Sequence, residues 1–245
     1  MQVRFFGFGC FLLLCSLWLH AAPVIRVATI LQLKPDHPTV QLLQQAYQQL
    51  GLQMRLDLMP IDRATLELNR GVLVDATLVA AESFAKLNPQ LLKVPVPIYQ
   101  LELRVFSRDP ALRVQSWQEL RPYQVMFLQG MTSVELRLQQ HQVPQQFEVL
   151  SIGQALRRLA LGRNQLAVLP KAEAEAMLSE LKLAQVFMAA EPLEVMPAYH
   201  YLHPKHQHLV APLTQVLSRL TGIAAEAEQH TANEHAILRN LPSQQ

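Results

Sequence analysis

One short segment, 129–133, carries the residue types best suited to binding a ligand. Its residues are Gln129, Gly130, Met131, Thr132 and Ser133. A buried-type strand over 124–128 precedes the segment, and a helical pattern over 130–140 begins within it. The free N–H groups at a helix start attract anions, and Thr132 and Ser133 add hydroxyl donors, unless one of these hydroxyls caps the helix instead. The segment therefore predicts a binding loop for an anionic group.

A second group of reactive residue types is a set of four histidines: His200, His203, His206 and His208. Neutral imidazole is a common metal ligand, but a zinc site needs three or four donors that converge on one point. Pro204 interrupts any helical register that would place these side chains on one face. We therefore expect no metal site and no cofactor.

Two glutamates, Glu82 and Glu173, could serve as a general acid or base, since each falls in a predicted loop or at a helix start. Acid–base chemistry needs such a group in a defined position. The sequence has no nucleophile elbow, glycine-rich phosphate loop or paired-carboxylate motif. We expect a binding protein rather than an enzyme, with a lyase-type or dehydratase-type enzyme as the alternative.

The elements that must position these residues alternate between strands and helices. The first half of the chain predicts strands over 24–31, 54–59 and 75–80, and helices over 39–50, where Thr39 is the cap, and 61–69. The second half predicts strands over 101–106, 124–128 and 166–169, and helices beginning after Ser116 and over 130–140, 152–161 and 172–181. This order is typical of α/β units with helices covering a sheet.

Two successive α/β units indicate two lobes joined by crossing segments near 99–106 and 186–195. We assign residues 22–100 and 196–245 to lobe one, and residues 101–195 to lobe two, with the hinge strands at the ends of lobe two. Each lobe should hold a mixed sheet flanked by helices.

The N-terminal segment predicts export. Arg4 precedes an apolar run of about fifteen residues, shorter than the roughly 20 that a spanning helix needs. Small residues then follow, which predicts a signal peptide over 1–21 and a periplasmic location. An uncleaved anchor and lipid attachment at Cys15 are the alternatives. Cys10 and Cys15 are the two cysteines, so the processed protein would contain no disulfide.

Charge excludes one class of partner. The formal net charge is +2, and charged residues make up 16% of the chain. Nucleic-acid binding usually leaves a clustered Lys/Arg surface, and no such cluster is present. We expect no nucleic-acid partner and a monomer.

Several segments together resemble bacterial extracellular solute-binding proteins of family 3, which have the type II periplasmic binding fold and include receptors for polar amino acids. The matching segments, in order, are Pro60 with Arg63, Gly71 and Asp75; Asn88-Pro89 and 94–98; Trp117 with Leu120; the 129–133 loop; Gly162-Arg163; and His206 with His208 and Leu209. The resemblance implies two α/β lobes that close on a ligand through a two-strand hinge, with the 129–133 loop holding a carboxylate.

The same resemblance shows where this chain departs from the amino-acid receptors. Those proteins hold the α-carboxylate with an arginine after the third strand, where this chain has 80–86 without arginine. They hold the α-amino group with an aspartate where this chain has Pro170, followed by Lys171. A zwitterion without this arginine and this aspartate would be buried with unpaired charges, which costs free energy. We therefore expect a small polar or anionic solute other than a standard α-amino acid.

Further candidate ligand contacts come from position in the predicted lobes. Glu82 and Lys171 are polar residues that could suit such a solute. Arg63 matches the family pattern, although the residues themselves favour a surface arginine paired with Asp62 or Glu67. Tyr99 and Tyr199 lie near the two crossovers, where an aromatic ring can stack on a ligand or pack the hinge.

The predicted function is therefore capture of a small solute in the periplasm for an ABC transporter. The alternative is a sensory or adaptor protein that docks on a membrane signalling receptor. Both roles use the same closure, so the membrane partner is expected to be a permease or a sensor.

Overall fold

The computed structural model describes residues 22–29 and 36–222. Within them it has nine strands, seven α-helices and two 3₁₀ helices, at Trp117–Leu120 and Pro204–His206. The strands are β1 Val24–Thr29, β2 Gln53–Leu58, β3 Ala76–Ala81, β4 Leu92–Ser107, β5 Gln124–Leu128, β6 Gln145–Val149, β7 Leu166–Pro170, β8 Phe187–Met188 and β9 Glu194–Leu202. The helices are α1 Pro38–Gln49, α2 Ile61–Arg70, α3 Ser83–Leu87, α4 Thr132–Gln140, α5 Ile152–Ala160, α6 Lys171–Leu181 and α7 Gln207–Thr221.

The strands follow the order β2-β1-β3-β9-β4-β7-β5-β6, and β8 pairs with β4. β1 runs parallel to β2 and β3, and β5 runs parallel to β6 and β7. β4 and β9 lie between these two groups and are antiparallel to each other and to their neighbours. Each lobe therefore has a mixed sheet, as the sequence predicted.

β4 and β9 form the two-strand hinge. They pair antiparallel from Leu92 opposite Leu202 to Leu103 opposite Glu194, and the register shifts on both sides of Pro97. Proline has no N–H to donate to the ladder. The pairing is therefore interrupted where the chain passes between the lobes.

The two lobes have separate hydrophobic cores on both faces of their sheets. In β5, Val125 and Phe127 pack with α4, while Met126 and Leu128 pack with α5 and α6. This alternation is the two-residue period of a strand covered by helices on both faces. In lobe one, α1 and α7 cover one face and α2 covers the other. The residue boundaries of the lobes remain a prediction.

The structure corrects two helix starts. The cap of α1 is His37, whose Nδ1 accepts from the N–H of Thr39 at 3.2 Å, so the predicted Thr39 cap is wrong. Pro38 at the first helical position explains the earlier start, because its fixed φ suits a helix and its missing N–H needs no partner. α4 begins at Thr132 rather than Gly130, because Gly130 has a φ of 78° that a right-handed helix does not accept.

The predicted signal peptide lies outside the described residues, as do residues 30 and 31 of the predicted first strand. Among the residues that are described, no helix is both long and apolar enough to cross a membrane.

Candidate ligand-binding site

A cavity of about 120 Å³ lies between the lobes, where the parallel strands end. Thr29 ends β1, Ala81 ends β3, Pro170 ends β7, and Gly130 follows β5, and all four residues line the cavity. Ligands of open α/β sheets bind at the carboxyl ends of the strands. The topology therefore places this cavity where a ligand site is expected.

The lining is mostly apolar, with a few polar groups. The apolar residues are Ile61, Ala64, Leu68, Val79, Ala80, Ala81, Phe84, Leu101, Met131, Pro170 and Ala198. The remainder are Gly130 and residues with a hydroxyl or carboxyl group, namely Thr29, Thr65, Thr77, Tyr99, Thr132, Ser133 and Glu173. Apolar walls with a small number of placed polar groups are typical of small-molecule sites.

Gly130 brings the two lobes into contact. A Cβ on this residue would lie 2.9 Å from Cγ2 of Ile61 and closer still to Oδ1 of Asp62. Ile61 and Asp62 begin α2 in lobe one, whereas Gly130 belongs to lobe two. Only glycine combines this close approach with a positive φ.

The N–H groups around Gly130 are less available to an anion than the sequence predicted. Gln129 donates to the carbonyl of Val149 at 2.9 Å, Met131 to Leu128 at 3.0 Å, and Thr132 to Gly130 at 2.9 Å. The turn at Gly130 folds the loop back on itself and joins it to β6. Three of the five N–H groups of the 129–133 loop are therefore occupied, and those of Gly130 and Ser133 have no partner among the described residues.

The hydroxyls of Thr132 and Ser133 do line the cavity. The N-cap of α4 is Met131, and the helix has no capping bond from a side chain. Of the two readings that the sequence left open for these hydroxyls, helix capping is therefore excluded. They remain candidates for contact with a ligand.

Glu173 and Tyr99 form the polar centre of the cavity. Glu173 lies in the first turn of α6, is 6% exposed, and accepts a hydrogen bond at Oε1 from the hydroxyl of Tyr99 at 3.2 Å. Burial raises the pKa of Tyr99, and the neighbouring Glu173 carboxylate raises it further. Tyr99 therefore stays a neutral donor and orients the Glu173 carboxyl group.

Three predicted ligand contacts lie outside the cavity lining. Arg63 is exposed on α2. Glu82 is exposed and pairs with Lys93 at 2.5 Å, and the hydrogen bond from Lys93 lowers the pKa of Glu82. Tyr199 lies under the same ammonium group, with Nζ of Lys93 4.6 Å from its ring centre. Glu82 and Tyr199 thus form a small lobe-one cluster with Lys93.

Two further predicted contacts, Lys171 and Gln129, also lie outside the lining. Nζ of Lys171 is 3.5 Å from a carboxylate oxygen of Glu102. Gln129 contributes its N–H to the link with β6. The structure therefore brings together Gly130, Met131, Thr132, Ser133 and Tyr99 from the predicted set.

The four histidines make different contacts, and among the described residues only the rings of His206 and His208 are neighbours, with their centroids 6.1 Å apart. His200 is fully buried between Tyr47 and the carbonyl of Leu78, and burial lowers its pKa to about 4. His203 caps the 3₁₀ helix at Pro204–His206, and His206 lies 2.9 Å from Oδ1 of Asp75. His208 is exposed. In the part of the chain that the structure describes, no three His, Cys, Asp or Glu side chains are grouped closely enough to hold a metal ion.

Sequence reasoning missed the binding potential of Glu173, which it considered only as a possible acid or base. The available signal was position: Glu173 comes three residues after the end of β7, and β7 is parallel to β5, whose end carries the Gly130 loop. The lining hydroxyls of Thr29, Thr65 and Thr77 gave no comparable signal, because threonine is common in strands and helices alike.

Fold and cavity together define a class: the chain has the two-lobed fold of the periplasmic binding proteins. No protein-family model matches it, and no curated protein matches it. Solved structures, in contrast, are similar to this chain in fold. A histidine kinase sensor domain with similarity to periplasmic binding proteins aligns with a TM-score of 0.69 and 17% identity, covering 86% of this chain and 96% of that one.

Two other solved structures show the same fold. An ancestral arginine-binding protein bound to glutamine aligns with a TM-score of 0.68 and 18% identity, over 83% of this chain and 94% of that one. The VFT2 domain of Bordetella pertussis BvgS aligns with a TM-score of 0.63 and 16% identity, over 80% and 87%. These structures are of binding and sensor proteins. At such identities they establish the fold alone.

Proposed function

We propose that this protein captures a small solute in the cavity between its two lobes. The observation that carries the proposal is the cavity itself, which lies at the carboxyl ends of β1, β3 and β7 and beneath the Gly130 contact between the lobes. Solute binding would stabilise the closed arrangement, because the lining residues come from both lobes.

Capture takes place in the periplasm, after cleavage of the signal peptide over 1–21, and delivers the solute to an ABC transporter. The basic and apolar pattern of the first 21 residues supports this location. The likeness to an arginine-binding protein supports a role in handling solutes.

A sensory role is the second candidate. It is favoured by the likeness to a histidine kinase sensor domain and to the VFT2 domain of BvgS. In this case the closed form would dock on a membrane receptor rather than a permease. Loss of solute uptake in a deletion strain supports transport, whereas unchanged uptake with loss of a solute-induced transcriptional response supports sensing.

Solute capture is tested by a thermal-shift screen of cationic, anionic, zwitterionic and neutral metabolites. We expect at least one compound to raise the melting temperature. Ala80 lines the cavity and is partly exposed, so Ala80→Leu should fill the space and abolish the shift.

The matched control is Ala176→Leu, at an exposed position on α6, which should keep the shift. If no compound raised the melting temperature, or if Ala80→Leu responded like the unmodified protein, solute capture in this cavity would be refuted. Mass spectrometry of the recovered compound checks for turnover, which would favour the enzyme alternative.

A further inference from the structure

The cavity contains a buried carboxylate with incomplete hydrogen bonding. Oε1 of Glu173 accepts from Tyr99, whereas Oε2 is buried and has no hydrogen-bond partner among the described residues. An unpaired buried polar atom costs free energy, and a charged one costs more. A ligand that supplies a donor to Oε2 would remove this cost.

The described cavity lining contains one carboxylate and no Lys, Arg or His side chain. Lys171, two residues before Glu173, is directed to Glu102 and does not line the cavity. A carboxylate on a ligand would therefore find no opposite charge in the described lining, and it would be repelled by Glu173. The charged side chains of the described lining therefore favour a cation over an anion or a zwitterion.

The rest of the lining is suited to an apolar body. Leu68, Phe84 and Leu101 contribute large apolar side chains, and alanines form much of the remaining wall. Such walls stabilise a ligand by burying its hydrocarbon surface. The few hydroxyls can accept further N–H groups from a cationic head.

We propose that the cavity binds a small amine, whose ammonium group donates to Oε2 of Glu173 while its apolar part packs against Leu68, Phe84 and Leu101. This inference rests on the proposed function and changes its solute from a polar or anionic compound to an amine without a carboxylate. Tyr99 holds Glu173 in place through Oε1, which leaves Oε2 as the acceptor for the ammonium group.

Calorimetric titration with paired probes tests the proposal. Isoamylamine and phenethylamine should bind, while leucine and phenylalanine, which add a carboxylate to the same skeletons, should bind at least tenfold more weakly. Isoamyl alcohol, which lacks the charge, should also bind at least tenfold more weakly. A charge-assisted hydrogen bond to a buried carboxylate is worth about a tenfold effect or more.

Glu173→Gln should weaken binding of both amines at least tenfold, because the amide lacks the negative charge. Its melting temperature without ligand should be unchanged or higher, since the variant no longer buries an incompletely paired carboxylate. Glu175→Gln removes the same charge at an exposed position on the same helix and should leave amine binding unchanged.

The proposal is overturned if leucine and phenylalanine bind as tightly as the amines, if Glu173→Gln binds the amines like the unmodified protein, or if neither amine binds. The comparison among probes needs no variant, so it holds even if Glu173→Gln folds poorly. If the amines fail while another compound shifts the unmodified protein but not Ala80→Leu, the amine inference fails and solute capture stands.

Discussion

Residue 130 adopts a backbone conformation with positive φ and also lies in close contact with the other lobe. Its φ of 78° is unfavourable for any residue with a Cβ, and a Cβ there would overlap the start of α2. Gly51 has a similar φ of 72°, but a Cβ at that position would meet no atom within 4 Å. Substitutions at these two glycines therefore share the cost of a positive φ, whereas only the substitution at residue 130 adds a steric clash.

Gly130→Ala and Gly51→Ala should each lower the free energy of unfolding by about 1 kcal/mol, the cost of a positive φ for alanine. The clash at residue 130 can be relieved by opening the lobes, so the additional penalty should appear in solute affinity. We expect Gly130→Ala alone to weaken solute binding tenfold or more, measured by calorimetry beside urea unfolding. Equal solute affinity in the two variants would show that closure does not depend on this contact.

His200 links three elements of lobe one. It is fully buried in β9, accepts at Nε2 from the hydroxyl of Tyr47 on α1 at 2.7 Å, and donates from Nδ1 to the carbonyl of Leu78 on β3 at 3.2 Å. Burial lowers its pKa to about 4, below the ordinary 6.5. The folded protein therefore holds this imidazole neutral.

The depressed pKa of His200 predicts a pH-dependent stability. Between pH 6.5 and about 4 the unfolded chain binds a proton at residue 200 that the folded protein does not bind. The contribution of neutral His200 to the free energy of unfolding is therefore complete above pH 6.5 and is lost as the pH falls toward 4. The slope should approach about 1.4 kcal/mol per pH unit. His200→Gln should flatten this slope in urea unfolding, whereas His208→Gln, at an exposed position, should leave it unchanged. The same slope in all three proteins would argue against a neutral buried His200.

At the scale of elements, Glu194 joins three parts of lobe two. Its carboxylate at the start of β9 accepts from Nε of Arg137 on α4 at 2.9 Å and from Nε1 of Trp117 in the first 3₁₀ helix at 2.9 Å. Arg137 is 41% exposed at its side chain, so solvent screens part of the interaction. The Trp117 bond is better shielded, because Trp117 is buried.

Glu194→Ala should therefore lower the free energy of unfolding by about 1–2 kcal/mol, since it leaves the indole N–H and the guanidinium without this acceptor. Glu191→Ala, at an exposed position nearby, should change it by less than about 0.5 kcal/mol. Chemical unfolding followed by circular dichroism measures both. A loss at residue 194 no larger than at residue 191 would mean that the link does not stabilise the lobe.

The sequence predicted the central elements because their apolar periods are strong. β5 and β7 are nearly continuous apolar runs, and α2 and α5 show clear helical spacing before a glycine. β6 was not predicted, because Gln145–Val149 is an edge strand with few apolar residues. Its position depends on pairing with β5, which local sequence does not encode.

At the scale of the whole molecule, the two-lobed order was predictable, but the character of the cavity was not. The prediction of an anion site rested mainly on the Gly130 loop. In the folded protein, pairing with β6 occupies the N–H of Gln129, and the start of α6 places Glu173 in the same cavity. The ligand preference depends on these contacts between distant segments.

The cavity lies between the two lobes, so a bound solute can affect how the lobes close. The lining comes from both lobes, and these meet at Gly130 against the start of α2. A solute in this cavity contacts both lobes and therefore favours the closed form over an open one. A surface-bound solute would have no such effect.

A crystal structure with the tightest-binding solute tests solute capture between the lobes most directly. We expect electron density in the cavity bounded by Tyr99, Thr132 and Glu173, with contacts to both lobes. For an amine, the nitrogen should lie within hydrogen-bond distance of Oε2 of Glu173. A solute bound on the outer surface while the cavity stays empty would contradict solute capture between the lobes.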